Sequence, residues 1–430
     1  MLCLVAPVVT GSAEECHRPV PPNIVFILAD DVGCEPLGCY GGTSYQTPNI
    51  DRLSATGMRF RHCYSMPVCH PTRTTFLTGR YPLAIGNPRW GSFPKSLEAR
   101  TVAHCLKRAG YATAVAGKWQ LTLLGKDLQH PHRLGFDEYC LFGWHEGPRY
   151  YDPLIWQNGG RREGTRGRYG PDVYVEFLID FIERHRQGPF FAFYSMALCH
   201  DVTDDLVEPV PYAPGKDRYD TYAEMIAAMD RVVGRLVGAL DRLGLRRNTL
   251  IVFTGDNGTA KSSIIRAQRV GQKWKYVREP VWCDVGGKRV RGGKGLLTDR
   301  GTRVPLICNW TGAVPAGQVV DDLVDFSDFY ATFAELACVP SGAPWPIDGQ
   351  SFASRVLDKG PAPRTWAFAQ LRAKYWVRTK RWKLYNDGRF FDVATDPEEK
   401  RDLAGAVPDG AAADFSLLQK ALARVAATRR

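Results

Sequence analysis

One cysteine of this sequence lies in a setting that could do chemistry. The stretch SMPVCHPTRTTFLTGRY places Cys69 two residues before Pro71 and four before Arg73. Proline favours the first turn of a helix, and the residues that follow can continue that helix as far as Gly79. The positive end of such a helix lowers the pKa of a thiol and also attracts anions. The segment therefore predicts either a thiolate nucleophile or an anion site, and the residues alone leave both open.

Two pairs of oxygen-bearing side chains occur at the ends of two short apolar runs. The first pair is Asp30 and Asp31, and the second is Asp256 and Asn257. Carboxylate and amide oxygens suit hard cations such as Ca²⁺ or Mg²⁺, whereas zinc would favour His or Cys. Asp and Asn also cap turns and helices, which is the alternative for either pair alone. Because both pairs follow runs typical of buried strands, we favour a metal site.

The elements that must position these residues alternate between strands and helices. Apolar residues at helical spacing predict a helix over 222–243, with Gly244 as its cap. Runs typical of strands buried on both faces occur at 23–28, 111–116, 190–196, 249–254 and 304–310. This alternation predicts an α/β fold with a large, mostly parallel mixed sheet and helices on both of its faces.

Polar groups follow four of these predicted strands. In an open α/β sheet, ligands bind at the carboxyl ends of the strands, so groups that follow different strands can meet at one edge. Lys118 and Gln120 follow the strand at 111–116, and His200 follows the strand at 190–196. Together with the two acidic pairs, they predict one polar rim.

The composition fits a large folded protein with a preference for anionic partners. The 430 residues are 44% hydrophobic, enough for a large core, and the net charge is +11. Because no helix-turn-helix, zinc-finger or RNA-binding signature is recognisable, we do not expect nucleic acid as a partner. None of the 12 cysteines forms a CxxC pair, so we expect buried free thiols, with room for one or two disulfides.

Three segments are predicted along the chain. Residues 1–20 are apolar and then acidic, which resembles a secretory signal without its positive start, so we expect a periplasmic or secreted protein. Residues 21–345 form the large α/β domain. In residues 346–430, a short helix at 351–357, alternating aromatic and charged residues around an Asp-Gly turn, and a helix at 411–427 predict a small antiparallel C-terminal subdomain. No apolar run is long enough to span a membrane.

The order of several motifs resembles that of the formylglycine-dependent sulfatases, an arylsulfatase-like family of the alkaline phosphatase superfamily. The C-x-P-x-R pattern at Cys69 is followed by TGRYP. The other matching segments are PNIVFILADDVG, TPNIDRLSATGMRF, GYATAVAGKW, FTGDNG, GGKGLLTDRGTRVPLI and FFDVATDPEEKRDL. The resemblance runs from about residue 22 to about residue 403. It implies a sulfatase fold and a hydrolase of sulfate esters.

The resemblance implies that a separate maturation enzyme oxidises Cys69 to Cα-formylglycine, reading Pro71 and Arg73 as part of its motif. One hydroxyl of the hydrated aldehyde then attacks sulfur, the alcohol leaves, and the second hydroxyl helps to expel sulfate. The implied metal is Ca²⁺, with Mg²⁺ the less favoured ion. The ligands implied for it are Asp30, Asp31, Cys69, Asp256 and Asn257.

The same resemblance assigns roles to four basic side chains. Arg73 and Lys118 would stabilise the modified cysteine. Lys294 would grip the sulfate, and His200 would protonate the leaving oxygen. Each could instead be a solvated surface charge or, for His200, a buried structural histidine.

Gln120 is the main departure from the family pattern. The family usually has a histidine at this position, which deprotonates the diol so that sulfate is expelled. Glutamine can donate and accept hydrogen bonds but cannot act as a base. Either another group serves, turnover is slower, or the site is altered. His130 and His132 lie nearby in the sequence and are candidates for that other group.

The sequence signal for the substrate is weaker. Basic residues and tryptophans interleave over 261–303, a mixture that suits sulfated sugars or single-stranded nucleic acid; a basic loop that is merely solvated is the third alternative. With the resemblance, we favour a sulfated carbohydrate. The alternatives are a phosphatase or phosphonate monoester hydrolase of the same superfamily, a non-catalytic binder of sulfated glycans, and an enzyme that uses Cys69 unmodified.

Overall fold

The computed structural model describes residues 21–201, 219, 221–270, 273–339 and 345–429. Within these ranges, the side chains of residues 265–277 are outside the description. The predicted signal segment, residues 1–20, therefore lies outside the described residues, as does part of the basic segment.

The described strands, numbered in chain order, belong to one large sheet, two hairpins and one small sheet. They are β1 (Asn23–Ala29), β2 (Met58–Tyr64), β3 (Ala112–Trp119), β4 (Glu138–Gly143), β5 (Trp156–Gln157), β6 (Gly160–Arg161), β7 (Phe190–Ser195), β8 (Thr249–Gly255), β9 (Ser262–Val270), β10 (Lys273–Pro280), β11 (Trp282–Val285), β12 (Lys288–Arg291), β13 (Arg303–Asn309), β14 (Gln318–Asp325), β15 (Ala367–Leu371), β16 (Lys374–Arg378), β17 (Trp382–Tyr385) and β18 (Phe390–Asp392).

The described helices connect these strands. They are α1 (Pro48–Ala55), α2 (Cys69–Thr78), α3 (Val102–Arg108), α4 (His130–Arg133), α5 (Gly170–Arg184), α6 (Tyr222–Arg242), α7 (Asp299–Thr302), α8 (Asp328–Leu336), α9 (Ala353–Val356) and α10 (Ala412–Ala427). Among the described helices, none is both long and apolar enough to cross a bilayer.

The large sheet has ten strands in the order β14-β2-β13-β8-β1-β7-β3-β4-β5-β6. Strands β8, β1, β7, β3 and β4 are parallel neighbours at its centre. Strand β13 runs antiparallel to both β8 and β2, and β5 runs antiparallel to β4. Every residue of β1, β7 and β8 is buried, as expected of strands covered on both faces. The predicted mixed, mostly parallel sheet is confirmed.

Helices cover both faces of this sheet, and the alternation of side chains along β1 shows how. Val25 and Ile27 belong to one core cluster, which α5 and α6 complete. Phe26 points to the opposite face. Its ring stacks on Phe76 of α2 at 4.2 Å and meets Phe333 of α8 at 5.7 Å. The predicted helices on both faces are confirmed, and the helix predicted over 222–243 is α6.

The C-terminal part forms the predicted antiparallel sheet, in the order β15-β16-β17-β18. The helix predicted at 411–427 is α10, and the shorter helix predicted at 351–357 is α9. This sheet and α10 share one core cluster with residues of the large domain, among them Tyr64, Met66 and Tyr81. The division of the chain at residue 345 stays a prediction.

The cysteines follow the expectation of buried free thiols. Nine described cysteines have free thiols, and eight of these are buried. Cys338 is disulfide-bonded. Because most of these thiols lie in apolar surroundings, the chain has cysteines that serve as small core residues.

Candidate active site

The two acidic pairs start at the same level of the sheet. Strands β8 and β1 are parallel neighbours, and their register pairs Ala29 with Gly255. Asp30 therefore follows one strand exactly where Asp256 follows the other. Parallel neighbours bring their carboxyl ends to one edge, so residues 226 positions apart in sequence become adjacent in space.

A left-handed turn lets both aspartates of the first pair face the same point. Neighbouring side chains of a strand point to opposite faces, so the chain must turn after Asp30. Asp31 has a φ of +61°, a conformation that aspartate tolerates better than most residues. Its backbone N–H donates to Asp256 Oδ1 at 3.1 Å, which connects the two strand ends.

Cys69 lies directly against these carboxylates. It is the first residue of α2, and its Sγ is 3.3 Å from Asp30 Oδ1 and 3.7 Å from Asp31 Oδ1. One ligand-type atom from each of four buried residues lies within 4.8 Å of all the others; the residues are Asp30, Asp31, Cys69 and Asp256. We call these four residues and Asn257 the acidic cluster.

Each carboxylate of the acidic cluster uses its Oδ2 oxygen to bind one cationic side chain. The pairs are Lys118 with Asp30 at 2.6 Å, Lys294 with Asp31 at 2.7 Å, and Arg73 with Asp256 at 2.7 Å. The three Oδ1 oxygens instead face members of the cluster. The cations therefore fix the orientation of the carboxylates and leave one oxygen of each turned inward.

The donor set fits a hard divalent cation. Asn257 donates through Nδ2 to Asp31 Oδ1 at 2.9 Å, while its own Oδ1 is buried without a hydrogen-bond partner. A buried amide oxygen without a partner is costly unless an ion or water satisfies it. Three carboxylates and one amide oxygen match the ligands of Ca²⁺ or Mg²⁺.

Asp30 and Asp256 have pKa values that are shifted in opposite directions. Burial alone would raise the pKa of Asp30, but Lys118, His200 and Arg73 lower it well below its usual range. Burial and the neighbouring Asp30 raise the pKa of Asp256 to about 6, although Arg73 opposes this shift. Without a bound cation, the repulsion between the carboxylates of the cluster therefore contributes to the raised pKa of Asp256.

The thiol of Cys69 does not have the lowered pKa that the helix end predicts. Burial, followed by the negative charges of Asp256 and Asp30, raises the pKa of the Cys69 thiol well above its usual value. The lowered pKa predicted from the helix end is therefore not found, because burial and the neighbouring carboxylates outweigh the field of the helix. The unmodified side chain is a poor nucleophile here.

Arg73 and Lys118 are held by the strands beside the cluster. Arg73 donates through Nη1 to Ser195 Oγ, and Ser195 in turn donates to the carbonyl of Lys118 at 2.7 Å. Lys118 is part of β3, whereas the sequence pattern predicted that it follows the strand. Gly117 precedes it with a φ of +103°, and a Cβ there would lie 2.0 Å from the carbonyl oxygen of Ser195. Only glycine fits at this contact.

His200 lies on the loop after β7, at the edge of the cluster. Its Nε2 is 3.8 Å from Asp31 Oδ2, and Arg149 donates to its Nδ1 at 3.3 Å. Because arginine can only donate, Nδ1 is the acceptor and the proton of the neutral ring is on Nε2, which faces the cluster. Burial and the positive charge of Lys294 hold the pKa of His200 well below its usual value.

Lys294 reaches the cluster from a loop that two backbone hydrogen bonds anchor. Its own N–H donates to the carbonyl of Thr259, and the N–H of Gly295 donates to the carbonyl of Pro67. The lysine side chain keeps 26% of its surface exposed, in contrast to the fully buried Lys118. The site is therefore open to solvent on the side of Lys294. Asp31 raises the pKa of Lys294 against the effect of burial, so the lysine is charged.

Gln120 is buried one residue beyond β3, and its Oε1 has no hydrogen-bond partner. The two histidines considered as substitutes make contacts elsewhere. His130 accepts from Trp119 Nε1 at 3.2 Å, and His132 pairs with the carbonyl of Phe136 at 2.9 Å. Within the described residues, neither histidine has a contact with the acidic cluster.

The basic segment folds into the hairpins β9–β10 and β11–β12, which precede the Lys294 loop. Of its described side chains, Trp282 on β11 is 38% exposed and lies under the guanidinium of Arg289 at 5.5 Å. The side chains between 265 and 277 are outside the description, so the predicted role of this segment stays a prediction.

Three residues beside the cluster were missed by sequence reasoning. Ser195 is hidden inside an apolar run, where a single serine carries no signal. Trp144 and Arg149 follow β4, whose apolar run at 140–142 ends at the same edge of the sheet. Treating that run as a strand, like the five predicted strands, would have pointed to both.

Comparisons with known proteins agree with this geometry. The family model described as Sulfatase matches residues 22–339. The N-acetylgalactosamine-6-sulfatase of Rattus norvegicus is 31% identical over 417 residues, covering 86% of this chain and 74% of the relative. Arylsulfatase A of Homo sapiens is 30% identical, covering 88% of this chain and 78% of its own. The crystal structure of Ps i-CgsB superposes with a TM-score of 0.74 at 26% identity, covering 95% and 94% of the two chains. That protein has also been crystallised in complex with k-i-k-neocarrahexaose.

Proposed function

This chain belongs to the sulfatase family, and from that membership we propose that it hydrolyses the sulfate esters of a sulfated carbohydrate with a formylglycine made from Cys69. As a sulfatase it is a hydrolase of sulfuric esters, and its fold is that of the alkaline phosphatase superfamily. The proposal concerns the finer points: the modified residue, the metal, the roles of the side chains and the substrate.

One observation carries the proposal. Cys69 is the only sulfur in a buried group of ligand-type residues, and three cations surround that group. Its thiol has a raised pKa, so an unmodified cysteine would be poorly suited to attack an anion. Oxidised to formylglycine, the same position would supply a hydrated aldehyde as a covalent nucleophile.

The acidic cluster would hold the metal. Asp30, Asp31, Asp256 and Asn257 would supply oxygen ligands, and Ca²⁺ suits this hard, irregular donor set better than Mg²⁺, which keeps more of its own water. A divalent cation there would neutralise charge that develops on the sulfate oxygens. It would also satisfy the buried Asn257 Oδ1.

The basic residues would bind the sulfate, hold the modified residue and donate a proton. Lys294, the most exposed of the three cations, is placed to bind an incoming sulfate group. Lys118 and Arg73 would hold the modified residue and the carboxylates in position. The Nε2 of His200 faces the cluster, so, once the ring is protonated to the imidazolium, it would donate the Nε2 proton to the leaving oxygen of the ester and return to the neutral ring.

The names of the relatives support a sugar ester. One relative is named for a sulfated amino sugar, and a similar structure was solved with an oligosaccharide named neocarrahexaose. The preference for anionic ligands that follows from the net charge of +11 agrees with this choice.

Maturation and export are also part of the proposal. Cys69 keeps only 4% of its surface exposed in the folded chain, so a maturation enzyme would have to oxidise it before this segment folds. The character of residues 1–20 supports export to the periplasm or the exterior.

The experiment combines mass spectrometry with an assay of ester hydrolysis. The full chain is produced together with a formylglycine-generating enzyme, and the tryptic peptide 62–73 is weighed. Conversion of the thiol to the aldehyde lowers the mass by about 18 Da, whereas the ordinary oxidation of cysteine adds oxygen. Sulfate release from an aryl sulfate should track the converted fraction and should exceed phosphate release from the matched aryl phosphate.

Two results would contradict the proposal. Hydrolysis of sulfate esters by a protein in which Cys69 is fully unmodified would contradict the proposed role of formylglycine. A fully converted protein that binds sulfated oligosaccharides without any turnover would instead be a glycan-binding protein.

A further inference from the structure

An aromatic wall lies beside Lys118, one of the three cations of the site. Trp144, the first residue after β4, has its ring centroid 4.4 Å from Lys118 Nζ and 4.6 Å from the guanidinium carbon of Arg149. The ring of His200 meets it edge-on, with centroids 4.6 Å apart. Since Lys118 binds Asp30 directly, Trp144 is one side chain away from the acidic cluster. Trp144 itself is nearly buried, and the more exposed Trp90 packs against it.

The outer part of this wall is exposed. Trp90 packs against Trp144 with ring centroids 6.0 Å apart, and against His145 at 5.3 Å. Its side chain nevertheless keeps 44% of its surface exposed. The next residue, Gly91, donates its N–H to the carbonyl of Gln120 at 3.2 Å, which fixes the Trp90 loop to the end of β3. We call Trp90, Trp144 and His145 the aromatic wall.

An exposed indole at the mouth of an anion site needs an explanation. Among the described residues, only three large apolar side chains are exposed; they are Trp90, Trp282 and Val319. Of these, Trp90 is the one whose described ring contacts lead through Trp144 to the acidic cluster. The negative face of an indole attracts polarised C–H groups, which the faces of sugar rings present.

We propose that Trp90 is the platform on which a sugar ring of the substrate packs while its sulfate binds Lys294 beside the acidic cluster. This inference rests on the proposed function and makes it more specific, because it places the carbohydrate on the β4 side of the site rather than on the basic hairpins. Trp144 and His145 act as positioning residues that hold the platform.

The surroundings favour a carbohydrate over a steroid or another large apolar alcohol. A planar apolar ligand would gain affinity from a slot of several apolar side chains. Here one exposed indole lies beside the imidazole of His145 and, one ring further in, the cations of Lys118 and Arg149. A sugar matches this mixture, since it offers one C–H face for the ring and hydroxyl groups for the polar neighbours.

The test measures binding without turnover. The full chain carrying Cys69→Ala is titrated in Ca²⁺ buffer, by calorimetry, with tetrasaccharides prepared from carrageenan and from chondroitin 6-sulfate, with inorganic sulfate and with estrone sulfate. Three further variants are compared in the same background: Trp90→Ala, Trp90→Phe and Trp282→Ala. Trp282 is the matched control, because among the described side chains it is the other exposed indole and is similarly accessible.

We expect Trp90→Ala to weaken the better-bound tetrasaccharide about tenfold relative to inorganic sulfate, with Trp90→Phe recovering most of the loss. Trp282→Ala should change this ratio less than twofold. The inference is overturned if tetrasaccharides bind no tighter than inorganic sulfate, if Trp282→Ala has the larger effect, or if estrone sulfate is weakened equally.

Failure of the platform and failure of the proposed function are distinguishable. The binding ratio does not depend on formylglycine, so it can shift as expected even if Cys69 is never oxidised. Conversely, a converted enzyme can release sulfate while the ratio of tetrasaccharide to inorganic sulfate affinity does not change in Trp90→Ala. That result would contradict the role of Trp90 and would still support the proposed hydrolase.

Discussion

At the scale of single residues, the site separates two tasks between the two oxygens of each carboxylate. Oδ2 binds a cationic side chain and Oδ1 faces the cluster, so the cations hold the carboxylates in one orientation. Buried charges of this kind are stable only when each has a partner. Gln120 differs from these carboxylates, because its buried Oε1 has no hydrogen-bond partner.

The first prediction concerns Gln120. If sulfate expulsion is slow because glutamine cannot take a proton, Gln120→His should raise kcat on an aryl sulfate about tenfold or more, as expected of an added general base. The wild-type enzyme should show a burst of released alcohol in its first turnover, and the variant a smaller burst. Stopped-flow measurement of the released phenol checks both.

Gln120→Leu is the control for this prediction, since it removes the hydrogen bonds of the amide without supplying a base. A wild-type reaction without a burst, together with a lower kcat in the histidine variant, would show that Gln120 has a different role.

At the scale of elements, the C-terminal sheet braces the loop that carries Lys294. Asp299, at the start of α7, accepts from Arg378 of β16 at 2.6 Å and from Lys383 of β17 at 3.0 Å. Trp376 of β16 donates to the carbonyl of Leu297 at 2.7 Å. Residues between 294 and 299 are therefore held by a sheet that supplies no member of the acidic cluster.

The second prediction tests this brace. Asp299→Asn leaves two buried cations with fewer partners and should lower the stability by about 2 to 3 kcal/mol. Although burial opposes it, Arg378 and Lys383 lower the pKa of Asp299 below its ordinary value. A carboxylate whose pKa is lowered by folding stabilises above its unfolded pKa, so the difference between wild type and variant should shrink as the pH falls below about 4.

Thermal unfolding of both proteins between pH 7 and pH 3 measures that difference. Asp387→Asn, in the exposed pair with Arg389 at the turn between β17 and β18, is the matched control and should cost about 0.5 kcal/mol or less. Equal effects of the two substitutions, or a difference independent of pH, would refute the brace.

At the scale of the whole molecule, the metal would connect parts that are distant in sequence. The acidic cluster takes its members from the ends of β1 and β8 and from the start of α2. A ligand that binds only the folded state stabilises all of these parts together. Metal binding should therefore be visible in global unfolding and not only in activity.

The third prediction is that Ca²⁺ raises the unfolding temperature of the full chain, and that chelation reverses the rise. Free Ca²⁺ at about 100 times its Kd should add about 2.7 kcal/mol. Asn257→Leu should abolish most of this gain by removing the amide ligand. Differential scanning fluorimetry over a Ca²⁺ series gives the measurement.

Asn248→Leu is the matched control, because Asn248 lies just before the other end of β8 and binds a backbone carbonyl there. It should keep the full response to Ca²⁺. A response that survives in Asn257→Leu, or one that Mg²⁺ reproduces at equal concentration, would argue against the assigned ligand set or the assigned ion.

Much of the fold and part of the site could be read from local pattern. The apolar runs before Asp30 and Asp256 predicted buried strands, and burial on both faces leaves a central, parallel place in the sheet. The sequence predicted that both pairs lie at one edge of the sheet, and the parallel pairing of β1 with β8 in the structure brings them together. The helix starting at Cys69 followed from its proline and from Gly79.

The remainder depends on contacts between residues far apart in sequence. Local sequence is enough to predict which side chains reach the edge of the sheet, because hydrophobic periodicity and turn residues act over a few positions. Three features of the site depend on packing instead: the raised pKa of Cys69, the hydrogen bond between Ser195 and Arg73, and the contact of the Trp90 loop with the end of β3. Burial and Coulomb interactions depend on distances in space, and these exist only after the strands and loops have packed.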